Sequence, residues 1–554
     1  AMLKKFIHLA GKHYIPAAQA FIVIYLLCSF FTVTVLSFDS AVSAGVRLIR
    51  YGLYALIPLL CTARYLDIHQ VSSLKEAAAC LARFFREHLL FAFVLILSVL
   101  NYICSGSLIP FALVLLLAAA RPLDLKKLLK LIFATQLAGC LMIVALAFAG
   151  LIPDLAYSSS LGVYRHSLGY IYPLEMHSHV FFLFLLGAWL YRKKYGWLAF
   201  GALTALNFGV FCLTVARTSF LMTEAAALLM LAAVKMPAGF RQKLFGWKHF
   251  KTLLVCFAVC MFVLPIAACL LYTDSSAFWV RMNTLMTSRL SLCREALETY
   301  PVTLFGQKIA WLGSGGISPV YVWEDSYNFA DISYVKDLLD YGILLYVLLM
   351  GGYCWMMQHF ALKKDLCGLV CCVCVLGSCV MEPRLLSVSL NTFLLFLSIP
   401  LLYSNRQLAG WMNTMDPFWK AWKTIPPVSR TAAAVLAFVL AGAVGWHLFT
   451  LNQYGARRQA VRQMSEERKA WQARIMNYEK PEDEDPFQFA SQMARALKET
   501  GGAYDQMAQI VPLGRLRSCY IEEQDFERLP GRDVQEDVWV QEFESRSRGL
   551  LPVQ

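Results

Sequence analysis

Long apolar runs, one after another from residue 16 to residue 450, constrain this chain more than any other feature. A helix needs roughly 17–25 predominantly apolar residues to cross a bilayer, because inside hydrocarbon every backbone amide must be satisfied within the segment. About thirteen stretches approach that length, at 16–37, 45–63, 89–104, 107–120, 129–150, 178–191, 196–213, 218–236, 251–272, 337–359, 366–381, 388–403 and 430–450. Several are short or abut one another. With 58% hydrophobic and 16% charged residues over 554 positions, the chain is too apolar for a water-soluble fold. The expected fold is all-α, a polytopic membrane bundle of about 12–13 transmembrane helices. Lys4, Lys5 and Lys12 precede the first run and no small-residue cleavage site follows, so it reads as an uncleaved span.

Charge between the runs sets the orientation. Arg64, Lys75, Arg83 and Arg86 share one connection; Arg121, Lys126, Lys127 and Lys130 the next but one; Arg192, Lys193 and Lys194 another. Lys235, Arg241, Lys243, Lys248 and Lys251 follow, then Lys363 and Lys364, then Arg406, Lys420 and Lys423. These are alternate connections, so the positive-inside rule places them, with the N-terminus, in the cytoplasm. The net charge of +13 is then mostly topological and calls for no nucleic-acid partner. The other connections fall outside: 151–177, the turn at Arg217, 273–336, the turn at Glu382 and everything after 450. Three units result: a membrane-embedded domain over 1–404, a cytoplasmic connection plus an extra span over 405–450, and an outer tail over 451–554. The tail suggests helices at 453–478 and at about 487–500, the second preceded by the acidic run 481–486 and closed by Gly501-Gly502.

Most of the 17 cysteines lie inside apolar runs, where a thiol packs as a small hydrophobe. Cys293 and Cys519 are the two expected outside, and spacing does not argue for a bridge between them. Cys371, Cys372 and Cys374 lack the histidines and paired spacing of a zinc site, and no cofactor or metal is expected.

The unusual polar residues gather on the outer side. Arg217 stands at a turn between two bilayer-length runs, where an arginine is costly unless an anion meets it; the plainer alternative is snorkelling to the headgroups. Arg165 sits among Tyr164, Tyr170 and Tyr172, a combination suited to a phosphate beside a sugar ring. His177 and His179 point to opposite sides of a helix and so should not share a metal. Residues from about 287 to 300 read as an amphipathic helix stopped by Pro301. Arg289 and Arg294 lie about 140° apart on it, so one can reach a pocket while the other meets water. Glu324, Asp325 and Asp331 supply carboxylates, and Glu382 either joins them or pairs with Arg384. Arg47 and Arg50 break the charge rule at the outer end of the second run; either they add to a phosphate-binding patch or the boundary of that run is misplaced.

In chain order the sequence has Arg165 and Gly169, then Ala216-Arg217-Thr218-Ser219, then Ser288-Arg289-Leu290 with Ala296-Leu297 and Tyr300. Leu304-Phe305-Gly306-Gln307 follows, then Asp331, Ser333-Tyr334 and Tyr341-Gly342-Ile343, and finally Glu382 ahead of Asn391. This series resembles the Wzy-type polysaccharide polymerases of Gram-positive bacteria, within the O-antigen polymerase and ligase superfamily, over residues 10–403. The resemblance implies a GT-C-like helical fold and a metal-independent glycosyltransferase in the bacterial cytoplasmic membrane, with Arg217 and Arg289 contacting a glycan on polyprenyl diphosphate. It also implies a chain-length regulator and a flippase as pathway partners.

Ligases of the superfamily usually carry a histidine-asparagine pair where this chain has Asp331-Ile332, or Asp325 and Asn328. The missing histidine favours polymerase over ligase. The expected function is polymerisation of lipid-linked repeat units, with Asp331 the first choice as base and Asp325 or Glu382 behind it. Arg165, Arg217, Arg289, Arg294 and Tyr334 form the expected substrate-binding set. The rival readings are ligase-like transfer to another acceptor and a lipid-linked oligosaccharide flippase, which should show duplicated halves and midplane charges.

Overall fold

The computed structural model describes residues 2–158, 164–309, 311, 329–414, 507–510 and 519–522. Within them the protein is a helical bundle. Helix α1 (Met2–Lys12) leads to α2 (Tyr14–Phe31) and a long α3 (Ser40–Ile68); α4 (Leu74–Glu87) then turns by 95° into α5 (Leu89–Ser105). The chain continues through α6 (Ile109–Ala120), α7 (Leu125–Phe148), α8 (Pro173–Leu190), α9 (Trp197–Thr214), α10 (Arg217–Lys235), α11 (Ala238–Gly246) and α12 (Phe250–Leu271). After two short helices, α13 (Ala277–Leu285) and α14 (Arg289–Thr299), come α15 (Ser333–Leu362), α16 (Leu366–Ser378), a 3-10 turn (Thr392–Leu397) running into α17 (Ser398–Leu401), and α18 (Asn405–Thr414).

Each of the first twelve apolar runs is a helix, but not each is a full span. Among the described residues eight helices are long and apolar enough to cross a membrane, or up to nine if the bent α4–α5 pair is one span. The protein is therefore a multi-pass membrane protein, with fewer full-length spans among the described residues than the twelve runs expected there. The difference lies in α6, α16 and the Thr392–Leu401 segment, which are short. Short helices are tolerated there because they lie inside the bundle: Leu116, Ala119, Cys371 and Leu394 are fully buried, so neighbouring protein covers the backbone that lipid could not. By contrast Leu48, Leu141, Leu198 and Leu271 stand exposed on the outside of the bundle, as lipid-facing side chains must. The thirteenth run, 430–450, lies outside the described residues.

Two further expectations change. The second run begins at Ser40, capped by the Asp39 carboxylate on the amides of Ala41 and Val42, so Arg47 and Arg50 lie within α3 and not at its end. The helix expected over about 287–300 is α14, and the left-handed Thr287 and Ser288 (φ 51° and 60°) set it apart from α13 before it. And α15 is broken at Gly342 (φ 79°). A Cβ there would lie 2.4 Å from the Gly306 amide and 2.5 Å from the Leu304 carbonyl, so the Leu304–Gly306 loop wedges into the break. Its backbone satisfies the opened helix through Ile343 N–H to Thr303 O (2.9 Å), and Asn101 of α5 donates to Phe305 O and Tyr341 O.

On the expected outer side, β1 (Leu155–Ser158) and β2 (Tyr164–His166) form an antiparallel hairpin. The tail contributes β3 (Met507–Ile510) and β4 (Cys519–Glu522), and β4 pairs in parallel with β1, giving the order β2-β1-β4-β3. The helices expected at 453–478 and 487–500 lie outside the described residues.

Candidate functional site

The polar side chains converge where α8, α10, α14 and α15 meet the loop after α16. At the centre is Glu382, 7% exposed, accepting hydrogen bonds from Ser178 of α8 and Ser219 of α10, each at 2.5 Å. Arg384 bridges to Glu175 at 2.5 Å and stands 3.8 Å from Glu382. Ser333, opening α15, donates to the Glu382 carbonyl (2.7 Å) and accepts from the Leu385 amide, locking this loop onto the helix.

Arg289, the first residue of α14, is buried against the same loop. Its Nε donates to Met381 O at 2.9 Å and its guanidinium reaches Met286 O and Thr287 Oγ1. Asp331 lies 3.5 Å from that Nε with a quarter of its side chain exposed. Burial pushes the Asp331 carboxyl above its ordinary value, against the pull of Arg289; Glu382 adds to the rise and Arg384 opposes it. A guanidinium and a carboxylate of altered acidity thus lie side by side, one pole for an anion and one for a proton.

Arg217 begins α10, two residues before Ser219, after a turn in which the β-branched Val215 takes a left-handed φ of 48°. Its side chain is exposed and has no partner among the described residues, and no side chain caps its helix. Arg165 on β2 reaches the other side of this turn, Nε to Thr214 O at 3.4 Å, with its guanidinium over the Tyr172 ring. Leu168, Val215, Thr287 and Ser288 account for four of the six left-handed non-glycine residues described, and each lies within three residues of one of these arginines. Such backbone costs about 1–3 kcal/mol each and concentrates where position matters more than stability.

Two residues of the expected set stand apart from this cluster. Arg294 turns to the surface, bonded to Glu298 (2.7 Å) and to Tyr272 O, as its angle from Arg289 requires. Tyr334 is fully buried in the core, donates to Leu376 O at 2.7 Å and packs against Phe262. Asp325 lies outside the described residues. Ser219 and Ser333 stood in the motif series without an expected role, and Ser178 and Glu175 were not singled out from the sequence; nothing in their local sequence marks the contacts they make.

His177 bonds Thr214 and Asn207, and Asn207 reaches Glu224, forming a polar seam between α8, α9 and α10; His179 turns instead toward Phe30 and Tyr170. Beside this seam runs an apolar cleft of about 820 Å³ between α7, α8 and α9, from Leu168 and Leu213 at the arginine end to Tyr191 and Lys194. Cys371, Cys372 and Cys374 are buried packing residues. Among the described residues no group of three or more His, Cys, Asp or Glu side chains is placed to hold a metal ion. The chain matches no family model, no curated protein and no solved structure.

Proposed function

We propose that the protein is a membrane glycosyltransferase that joins polyprenyl-diphosphate-linked oligosaccharides into a polysaccharide at the outer membrane face. The observation that carries this reading is the pairing of Arg289 with Asp331 beside Glu382, three residues far apart in sequence gathered at one end of the bundle. Arg289 and Asp331 neutralise one another. A diphosphate entering the site takes the guanidinium, since an arginine fork binds phosphate oxygens in bidentate fashion, and this releases the carboxylate.

The bond from the donor anomeric carbon to phosphate oxygen then breaks, and Arg289 with Arg217 stabilises the charge on the departing diphosphate. An acceptor hydroxyl forms the new bond to that carbon, and its proton passes to Asp331. Glu382, held by two serines and Arg384, orients the loop that carries Met381. The apolar cleft whose upper end borders the Arg165–Thr214 contact offers a place for a polyprenyl chain. The test is incubation of the purified protein with lipid-linked repeat units. A ladder of lengthened products is expected, and single transfer to a different acceptor would replace polymerisation by ligation.

A further inference from the structure

Arg50 lies on the inner face of α3, about 15 Å along the axis from Ser40. Its guanidinium donates to the Tyr54 hydroxyl at 3.3 Å and sits 5.5 Å from the centre of the Tyr25 ring, while its Nε is buried without a partner. Among the described residues no carboxylate pairs with it. Arg47, three residues earlier on the same side of the helix, is exposed and likewise unpaired. A charged side chain at such a depth needs an anion, and the protein offers tyrosines instead.

The proposed reaction requires two lipid diphosphates in different places. The donor phosphate is bonded to the reacting carbon and must lie at Arg289. The acceptor reacts through a hydroxyl at the far end of its glycan, so its own diphosphate lies a repeat unit away. α3 packs mainly on α1, α2 and α6, whereas α14, which opens with Arg289, packs on α12, α13 and α15. Arg50 also has no carboxylate beside it, as befits a group that holds a phosphate without chemistry.

We infer that Arg50, with Arg47, binds the diphosphate of the lipid-linked acceptor, a subsite that rests on the polymerase reading. The test uses the full chain in phosphatidylcholine nanodiscs titrated with polyprenyl diphosphate, followed by acceptor titration on protein preloaded with donor. Wild type should bind two equivalents, and Arg50→Gln and Arg289→Gln one each. In the rate assay Arg50→Gln should raise the acceptor concentration for half-maximal rate about tenfold or more, as expected for loss of a charge-assisted contact, and leave the saturating rate unchanged.

Arg47→Gln and Tyr54→Phe, milder changes, should shift the same parameter in the same direction if Arg50→Gln fails to fold. Two equivalents bound by Arg50→Gln, or displacement of the second equivalent by phosphatidylglycerol, overturns the inference and marks ordinary headgroup contact. Two equivalents bound by a wild type that forms no ladder overturns the functional reading instead.

Discussion

Two arginine–carboxylate contacts lie toward opposite ends of the bundle and differ in what they leave free. At the end carrying the basic connections, Asp365 caps α16 through the Gly368 amide (3.1 Å), accepts from the Trp189 indole (3.0 Å) and stands 3.7 Å from Arg192, whose guanidinium lies over that indole. Its oxygens are all engaged by neighbours that fix one helix to another. At the other end Asp331 has, among the described residues, one ion-pair contact, Arg289 at 3.5 Å, and keeps part of its surface open. A carboxylate surrounded by donors holds a fold together, whereas one left with capacity beside a buried guanidinium can exchange partners.

The difference can be broken most decisively at the arginines. Arg289→Lys and Arg217→Lys keep the charge but lose the planar fork, and turnover per folded molecule should fall by roughly a hundredfold or more. Wild-type initial rates in both would remove the proposed site. Asp331→Asn should cost on the order of a hundredfold in kcat with donor KM nearly unchanged.

The pH profile sharpens the point. Because burial raises the Asp331 carboxyl, the protonated and inactive form persists to higher pH than for an ordinary aspartate. The rate should therefore rise with pH through a midpoint above that of an ordinary aspartate, and this limb should vanish in Asp331→Asn.

At the opposite end the effect should fall on stability alone. Asp365→Ala removes a cap and strands the Trp189 indole, costing about 1–3 kcal/mol in thermal melts of the solubilised protein, with rate per folded molecule unchanged. The smallest effect is expected at Arg294, which faces away from the cluster. Arg294→Gln should leave initial rates unaltered, and a large loss would place it back among the substrate contacts.

The helices and their order were legible because apolar length is a local property. Twelve runs between residues 16 and 403 are helical, and the angle between Arg289 and Arg294 followed from helix geometry alone. Span length was not legible for α6, α16 and the Thr392–Leu401 segment, since whether a short apolar helix is viable depends on what covers it. Likewise, the burial of Tyr334 was not legible, since packing against Phe262 decides it.

Sequence by itself therefore determined a multi-pass helical membrane protein with most of its basic residues between the apolar runs, since hydrocarbon imposes helix wherever the chain is apolar. Tertiary structure decided which of those charges meet. It set Ser178 and Ser219 on Glu382, broke α15 at Gly342 around the Leu304–Gly306 loop, and brought Asp331 to Arg289. Those contacts join residues 36 to more than 200 positions apart, and no local pattern records them, because each depends on helices packing first.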